Sequence, residues 1–223
     1  MRKSDYTAQF CPEVHYHVYN RTNNRETLFT CDRERSLFME KYKEYLSAYV
    51  DTFAWCLMEK HFHFSIRVKP REVIFKEVIN TPEPLRIAAQ INFLEQPEDE
   101  KTFHSVIERQ FSRFFTSYAM IFNLTHQRSG NLFYRPFKRI EIKEENHQVW
   151  LVYYIHSNIS KHGIRLDFAA YSWSSYKTFL NEKPTLLCKQ EVLDWFGGKA
   201  QFLEFHGHGY RELPDKYGYL EIE

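Results

Sequence analysis

Ile107, Phe111, Phe114, Tyr118 and Phe122 recur in steps of four, three, four and four residues, the repeat of one helical face, and predict a long helix over about residues 102–124. A second helical stripe, Leu37, Tyr42, Tyr45, Leu46 and Tyr49, follows Asp32, which is placed to act as an N-cap. The β-rich runs 52–58 and 62–68 are separated by only Glu59, Lys60 and His61, so they are expected to be adjacent antiparallel strands with His61 at a strand start. A strand over residues 14–19 leads into a polar loop, 20–25, whose asparagines accept unusual backbone angles. Pro82, Pro84 and Pro97 bracket a short helix near 85–94, read as an insertion. A strand near 137–142 and a helix near 147–156 follow. This order of strand, helix, strand, strand, helix, strand fits an α+β sheet with helices on one face. Short helices over 173–180 and 191–196, the second ended by Gly197-Gly198, complete the pattern. Residues 1–180 are read as one domain and 181–223 as a helical C-terminal extension without an assigned role.

Composition narrows the class. With 223 residues, 43% hydrophobic and 17% aromatic, the chain has ample apolar surface for a globular core. It lacks an apolar run approaching the roughly 20 residues needed to cross a bilayer, and the polar start 1–6 has no signal-like stretch after it, so a soluble cytoplasmic protein is expected. Cys11, Cys31, Cys56 and Cys188 are scattered without a Cys-x-x-Cys pair, which argues for reduced, mostly buried thiols. A net charge of +1 excludes a protein that coats DNA electrostatically, so any nucleic-acid surface must be local. Such a segment exists. Between 125 and 143, Arg128, Arg135, Lys138, Arg139 and Lys143 stand against Glu141 alone, whereas Glu83, Glu95, Glu98, Asp99 and Glu100 between 82 and 100 stand against Arg86.

His61-Phe62-His63 is the first candidate for chemistry. On a strand both imidazoles point to one face while Phe62 enters the core, and two imidazoles on one face can hold a divalent cation. With 11 histidines, chance gives roughly 0.5 His-x-His triplets in a chain of this length, and this chain has three. His15-Tyr16-His17 reads as packing or substrate contact, and His206-Gly207-His208 as mobile surface histidines in a loop. Tyr118 is the second candidate: periodicity alone makes it a core aromatic, yet a phenol beside a cation or a bound phosphate can be a nucleophile.

An ordered set of motifs then carries a resemblance over roughly residues 12–180. It comprises Tyr16-His17-Val18-Tyr19-Asn20-Arg21, Cys56-Leu57-Met58-Glu59-Lys60-His61-Phe62-His63, and Tyr118-Ala119-x-x-Phe122-Asn123. His126-x-Arg128-x-Gly130-x-Leu132-Phe133, Phe137-Lys138, Tyr154-Ile155-His156-Ser157-Asn158 and Trp173-Ser174-Ser175-Tyr176 follow in order. The chain resembles the single-tyrosine transposases, and most of all the REP-associated tyrosine transposases. Thr22, Glu59-Lys60 and Ile159 depart from the pattern, where Gly, Pro-Asn and Pro are usual.

The resemblance implies a ferredoxin-like catalytic fold, His61 and His63 as ligands of Mg²⁺ or Mn²⁺, and Tyr118 as the nucleophile. A polar third ligand is implied about one helical turn beyond the tyrosine. Phe122 cannot coordinate, which leaves Asn123. The implied partner is single-stranded or hairpin DNA, cut through a 5′-phosphotyrosine by a monomer or homodimer. Arg128, Arg135, Lys138 and Arg139 would hold phosphates, Phe133 and Tyr134 would stack on bases, and Asn20 and Arg21 would read the hairpin or its flank. Two rivals remain open: a catalytically silent hairpin DNA- or RNA-binding protein on the same fold, and a zinc hydrolase using His61 and His63, for which a His-Glu-x-x-His set is missing.

Overall fold

In the computed structural model, which describes residues 6–161, 167–207, 214 and 218 with backbone alone at 145, 146 and 161, four strands form one antiparallel sheet. They are His15–Arg21 (β1), Val50–Leu57 (β2), His61–Val68 (β3) and Lys138–Ile142 (β4), in the order β2-β3-β1-β4. Helix Asp32–Leu46 (α1) joins β1 to β2, and helix Glu100–Thr125 (α4) precedes β4. The expected α+β class and ferredoxin-like strand order are therefore present. Between β3 and α4 lie helices Arg71–Asn80 (α2) and Ala88–Glu95 (α3). The hydrophobic pattern did not point to α2, whose only buried residues are Ile74 and Val78. Asp32, expected as an N-cap, is the first residue of α1, and its carboxylate accepts from Trp173 Nε1 at 2.6 Å instead.

Alternation along the two central strands divides the molecule. Tyr16 and Val18 of β1 and Phe62, Phe64, Ile66 and Val68 of β3 enter one core with α1 and α4. Aromatic packing dominates there: Tyr42 stacks on Phe64 at 4.3 Å between centroids, and Phe38 meets Phe62, Phe114 and Tyr118 at 4.8–5.0 Å. Such offset and edge-to-face pairs add about 0.5–1.5 kcal/mol each beyond the area they bury.

The helices cover both faces of the sheet rather than one. Helix Glu145–Lys161 (α5) lies on the second face with helices Tyr176–Leu180 (α6), Lys189–Trp195 (α7) and Lys199–Gly207 (α8). Leu151, Val152, Ile155 and Ile159 of α5 share a core with Phe53 and Cys56 of β2, Phe179, Val192, Leu193 and Phe202. The segment after 180 thus belongs to this second core, and it is tied to the sheet by Arg67, which bonds both Asp51 and Glu191. Of the four cysteines only Cys56 is buried, and Cys31 is exposed. No helix among the described residues is long and apolar enough to cross a membrane.

A directed hydrogen-bond chain runs through the second core. His206 Nδ1 faces the Phe202 carbonyl at 2.8 Å, and a carbonyl only accepts, so this nitrogen carries a proton. With both rings neutral, His156 Nδ1 donates to His206 Nε2 at 3.1 Å, and Ser175 Oγ donates to His156 Nε2 at 2.8 Å. The Trp55 amide in turn donates to Ser175 Oγ at 2.9 Å. His206 is buried in α8, not a mobile loop residue, while its expected companion His208 lies outside the described residues. Burial holds His156 well below the ordinary histidine value, and burial with nearby Arg67 lowers His15 to about 4.

These rings are neutral when folded but take up protons near pH 6.5 when unfolded. Stability is therefore expected to be fully present above about pH 6.5 and to fall as the pH drops through 4. Urea titrations between pH 7.5 and 4 check this; an unfolding free energy that rises on acidification would contradict the neutral assignment.

Candidate active site

On β3 the side chains at 61 and 63 point to the face opposite Phe62, as alternation requires, and their ring centroids lie 5.1 Å apart. Pairing sets their neighbours: Arg21 lies opposite His61 and Tyr19 opposite His63, and Lys138 of β4 lies opposite Tyr19. Tyr19 stacks on His63 with centroids 5.8 Å apart and planes 17° from parallel. His17, one position further along this face of β1, is fully buried, with its Nε2 2.9 Å from His63 Nδ1. Burial lowers His17 to about 3, so it is neutral.

Helix α5 crosses this row. Tyr154 packs edge-on against both His17 and His63, with centroids 5.8 and 5.6 Å away. Asn158, one turn on, brings its Oδ1 to 3.4 Å from His61 Nε2. The fit has a simple metric basis: residues four apart on a helix are separated by about 6 Å along its axis, and residues two apart on a strand by about 6.6 Å. The pair Tyr154 and Asn158 therefore matches the pair His63 and His61. Asn158 is wholly buried, and its Nδ2 has no hydrogen-bond partner among the described residues.

A cavity of about 570 Å³ opens over His61 and His63. Arg21, Arg25, Lys60 and Lys138 line it with Tyr6, Tyr19, Asn20, Thr22 and Tyr134, and no carboxylate is among these residues. At the rim the end of β1 is pinned to the loop that precedes β4. The Tyr134 amide donates to the Arg21 carbonyl at 2.9 Å, and Asn20 Nδ2 donates to the Tyr134 carbonyl at 3.1 Å. Asn24 and Arg25 take positive φ, 56° and 57°, in the loop expected to need unusual angles. Arg21 lies over the exposed Tyr134 ring at 5.4 Å, and the Lys138 ammonium over Tyr6 at 5.0 Å.

The other residues singled out in the sequence lie elsewhere. Tyr118 is 1% exposed on the far side of the sheet, packed against Phe29, Phe38, Phe122 and Phe133, and its hydroxyl donates to the Leu28 carbonyl at 3.2 Å. Burial, reinforced by Glu34, pushes its pKa upward, the wrong direction for a nucleophile. The sheet separates it from His61 and His63, so the assignment of Tyr118 as nucleophile is corrected. Asn123 is corrected with it: it donates to the Gly130 carbonyl and accepts from Arg128, closing the end of α4. Arg128 also pairs with Glu26 at 2.7 Å. Phe133 is 5% exposed, packed on Phe62 and Phe115, and is not available to a base.

Arg139 follows Lys138 and therefore faces the opposite side of β4. It is 4% exposed, held by Glu108 at 3.0 Å between the rings of Phe10 and Phe137. Asn20 lines the cavity but is a buried loop pin, whereas Arg21, Tyr134 and Lys138 line it as expected, and Arg135 is exposed outside the lining. Asn158, Arg25 and Lys60 are given no site role by the sequence, and Tyr154 stands there only within the motif 154–158 and, with Tyr153 and Tyr134, as a fallback to Tyr118. The signal for Tyr154 and Asn158 was the Tyr-x-x-x-Asn spacing, which meets the one-turn requirement that Phe122 failed beside Tyr118.

No protein-family model matches the chain, and no curated protein matches it. Among solved structures, the chain is similar to a REP-associated tyrosine transposase bound to a REP hairpin. The likeness covers 82% of this chain and 89% of that one, at 13% identity and a TM-score of 0.48.

Tyr118→Phe removes only the hydrogen bond to Leu28 and keeps the ring, so it should cost about 0.5–1.5 kcal/mol of stability and leave the sheet face bearing His61 and His63 unchanged. Urea unfolding measures the first part and histidine ring NMR shifts the second; shifts at His61 or His63 comparable to a site substitution would contradict the separation.

Proposed function

We propose that the chain is a metal-assisted enzyme that cuts and rejoins single-stranded or hairpin DNA by transesterification, with Tyr154 in place of Tyr118 as the nucleophile. The observation that carries this reading is the convergence of Tyr154 and Asn158 on His63 and His61 at a cavity rimmed by cations. Two imidazoles and an amide oxygen can hold a divalent cation: imidazole nitrogen suits borderline transition ions and the amide oxygen suits Mn²⁺ or Mg²⁺, so Mn²⁺ is the better match of the two. His61, His63 and Asn158 would hold it, and the buried amide nitrogen of Asn158, without a partner among the described residues, fits a side chain whose oxygen is committed to the site. When bound, such a cation supplies Lewis-acid polarisation of the scissile phosphate.

The chain's own residues do the rest. Arg21, Arg25, Lys60 and Lys138 neutralise the strand's phosphates. Tyr134, held by Arg21 and exposed, offers a face for an unpaired base. The Tyr154 oxygen attacks phosphorus, the bond to the 3′ oxygen breaks, and the phenolic proton is balanced by the proton the 3′ hydroxyl gains. Attack by a 3′ hydroxyl on the 5′-phosphotyrosine reverses the step, so water is not consumed. All the groups come from one chain, so a monomer suffices. Tyr154 is only 3% exposed, and this favours a second reading, a hairpin-binding protein that does not cleave.

Incubation with 5′- and 3′-labelled hairpin DNA and Mn²⁺ tests the proposal. A covalent protein–DNA adduct is expected from the wild type and Tyr118→Phe and should be lost in Tyr154→Phe; an adduct surviving in Tyr154→Phe would sink the assignment. Lys138→Ala should weaken single-strand binding and lower the slope of log K against log salt by about 0.7, the share of one phosphate on a single strand. An unchanged slope in a fluorescence-anisotropy salt series would place the strand away from β4.

A further inference from the structure

His17 is wholly buried and outside the lining of the cavity, yet its Nε2 lies 2.9 Å from Nδ1 of His63, which lines it. The two rings lie 5.1 Å apart with planes inclined by 25°, and Tyr154 abuts both at nearly a right angle. One proton occupies the line between the two nitrogens, and its owner decides what His63 can do. If His17 donates, neutral His63 carries its own proton on Nε2 and that nitrogen cannot ligate. If His63 donates from Nδ1, its Nε2 presents a lone pair. The other nitrogen of His17, Nδ1, is enclosed without a hydrogen-bond partner among the described residues. Neither tautomer is therefore fixed from the His17 side, and the choice belongs to the site.

We infer that His17 is a positioning residue for His63: it accepts the Nδ1 proton, so fixing the ring and the tautomer that leave Nε2 for a divalent cation. This rests on His61 and His63 being a cation site, as proposed above. The acceptor is an uncharged imidazole where a carboxylate or carbonyl is usual. It orients the ligand without placing a negative charge under the cation, in keeping with a cavity lining that has no carboxylate among the described residues.

The full-length chain, His17→Phe and His17→Gln are titrated with Mn²⁺ by calorimetry. Phe keeps an aromatic ring without the acceptor, whereas the Gln amide oxygen can occupy the place of Nε2. Loss of the orienting partner should weaken Mn²⁺ binding about 10–100-fold in His17→Phe, with His17→Gln within about threefold of wild type. Equal affinity of wild type and His17→Phe overturns the inference alone, as does equal weakening in both variants, which would mean packing only. A wild type that binds no Mn²⁺ removes the cation site itself and this inference with it. Long-range proton–nitrogen correlation of Mg²⁺-saturated wild type gives an answer that needs no variant to fold: His63 protonated on Nδ1 supports the inference, and protonation on Nε2 overturns it.

Discussion

The alternation of β3 is the constraint on which everything else depends. One strand supplies Phe62, Phe64, Ile66 and Val68 to an aromatic core and His61, His63, Ser65 and Arg67 to the opposite face. A slip of one residue in its pairing with β1 would exchange the two sets, placing imidazoles among Phe38, Phe114 and Phe115. Burying unpaired polar rings there is costly enough that the register is held by the core as firmly as by the ladder. The site is thus positioned by residues that never touch it, and Tyr118 is one of them.

Charge on the second face is segregated by depth. The floor consists of His17, Tyr19, His63 and Asn158, with His17 held neutral by burial, while Arg21, Arg25, Lys60 and Lys138 stand at the rim. In the proposed reading the protein ligands bring no negative charge of their own. A cation there would gain most of its charge compensation from the phosphate it meets, so cation and nucleic acid would favour each other's binding.

Much of the fold was legible because it is carried by strong periodicities. The stripe from Ile107 to Phe122 became α4, and the two runs flanking Glu59 and Lys60 became β2 and β3. The placement of His61 and His63 on one face followed from the same period. The tyrosine of the proposed site was not legible in that way, since a helical repeat says which residues share a face and not which side of a sheet that face meets. Tyr118 sits on the most regular stripe in the chain for the reason that excludes it: it belongs to the core. Tyr154 sits in a helix buried nearly all round over 151–159, sandwiched between the sheet and the C-terminal helices, where periodicity singles out no residue. Arg139 and Phe133 misled for a related reason, because cations and aromatics in a basic segment look alike from the sequence whether they face solvent or each other.

The hydrogen-bonded column from Trp55 through Ser175 and His156 to His206 gives the segment after residue 180 a mechanical meaning. His156 lies on α5 midway between Tyr154 and Asn158, and its ring points away from them, into α8. The helix is therefore gripped from behind at the same turn that it offers to the histidine row in front. Its height above the sheet is a shared property of two unrelated surfaces, one of imidazoles and one of Phe202 and His206. In the proposed reading, variation in the rear surface would shift the front without altering a single group that a bound strand would meet. Within that reading, reactivity could then change independently of recognition.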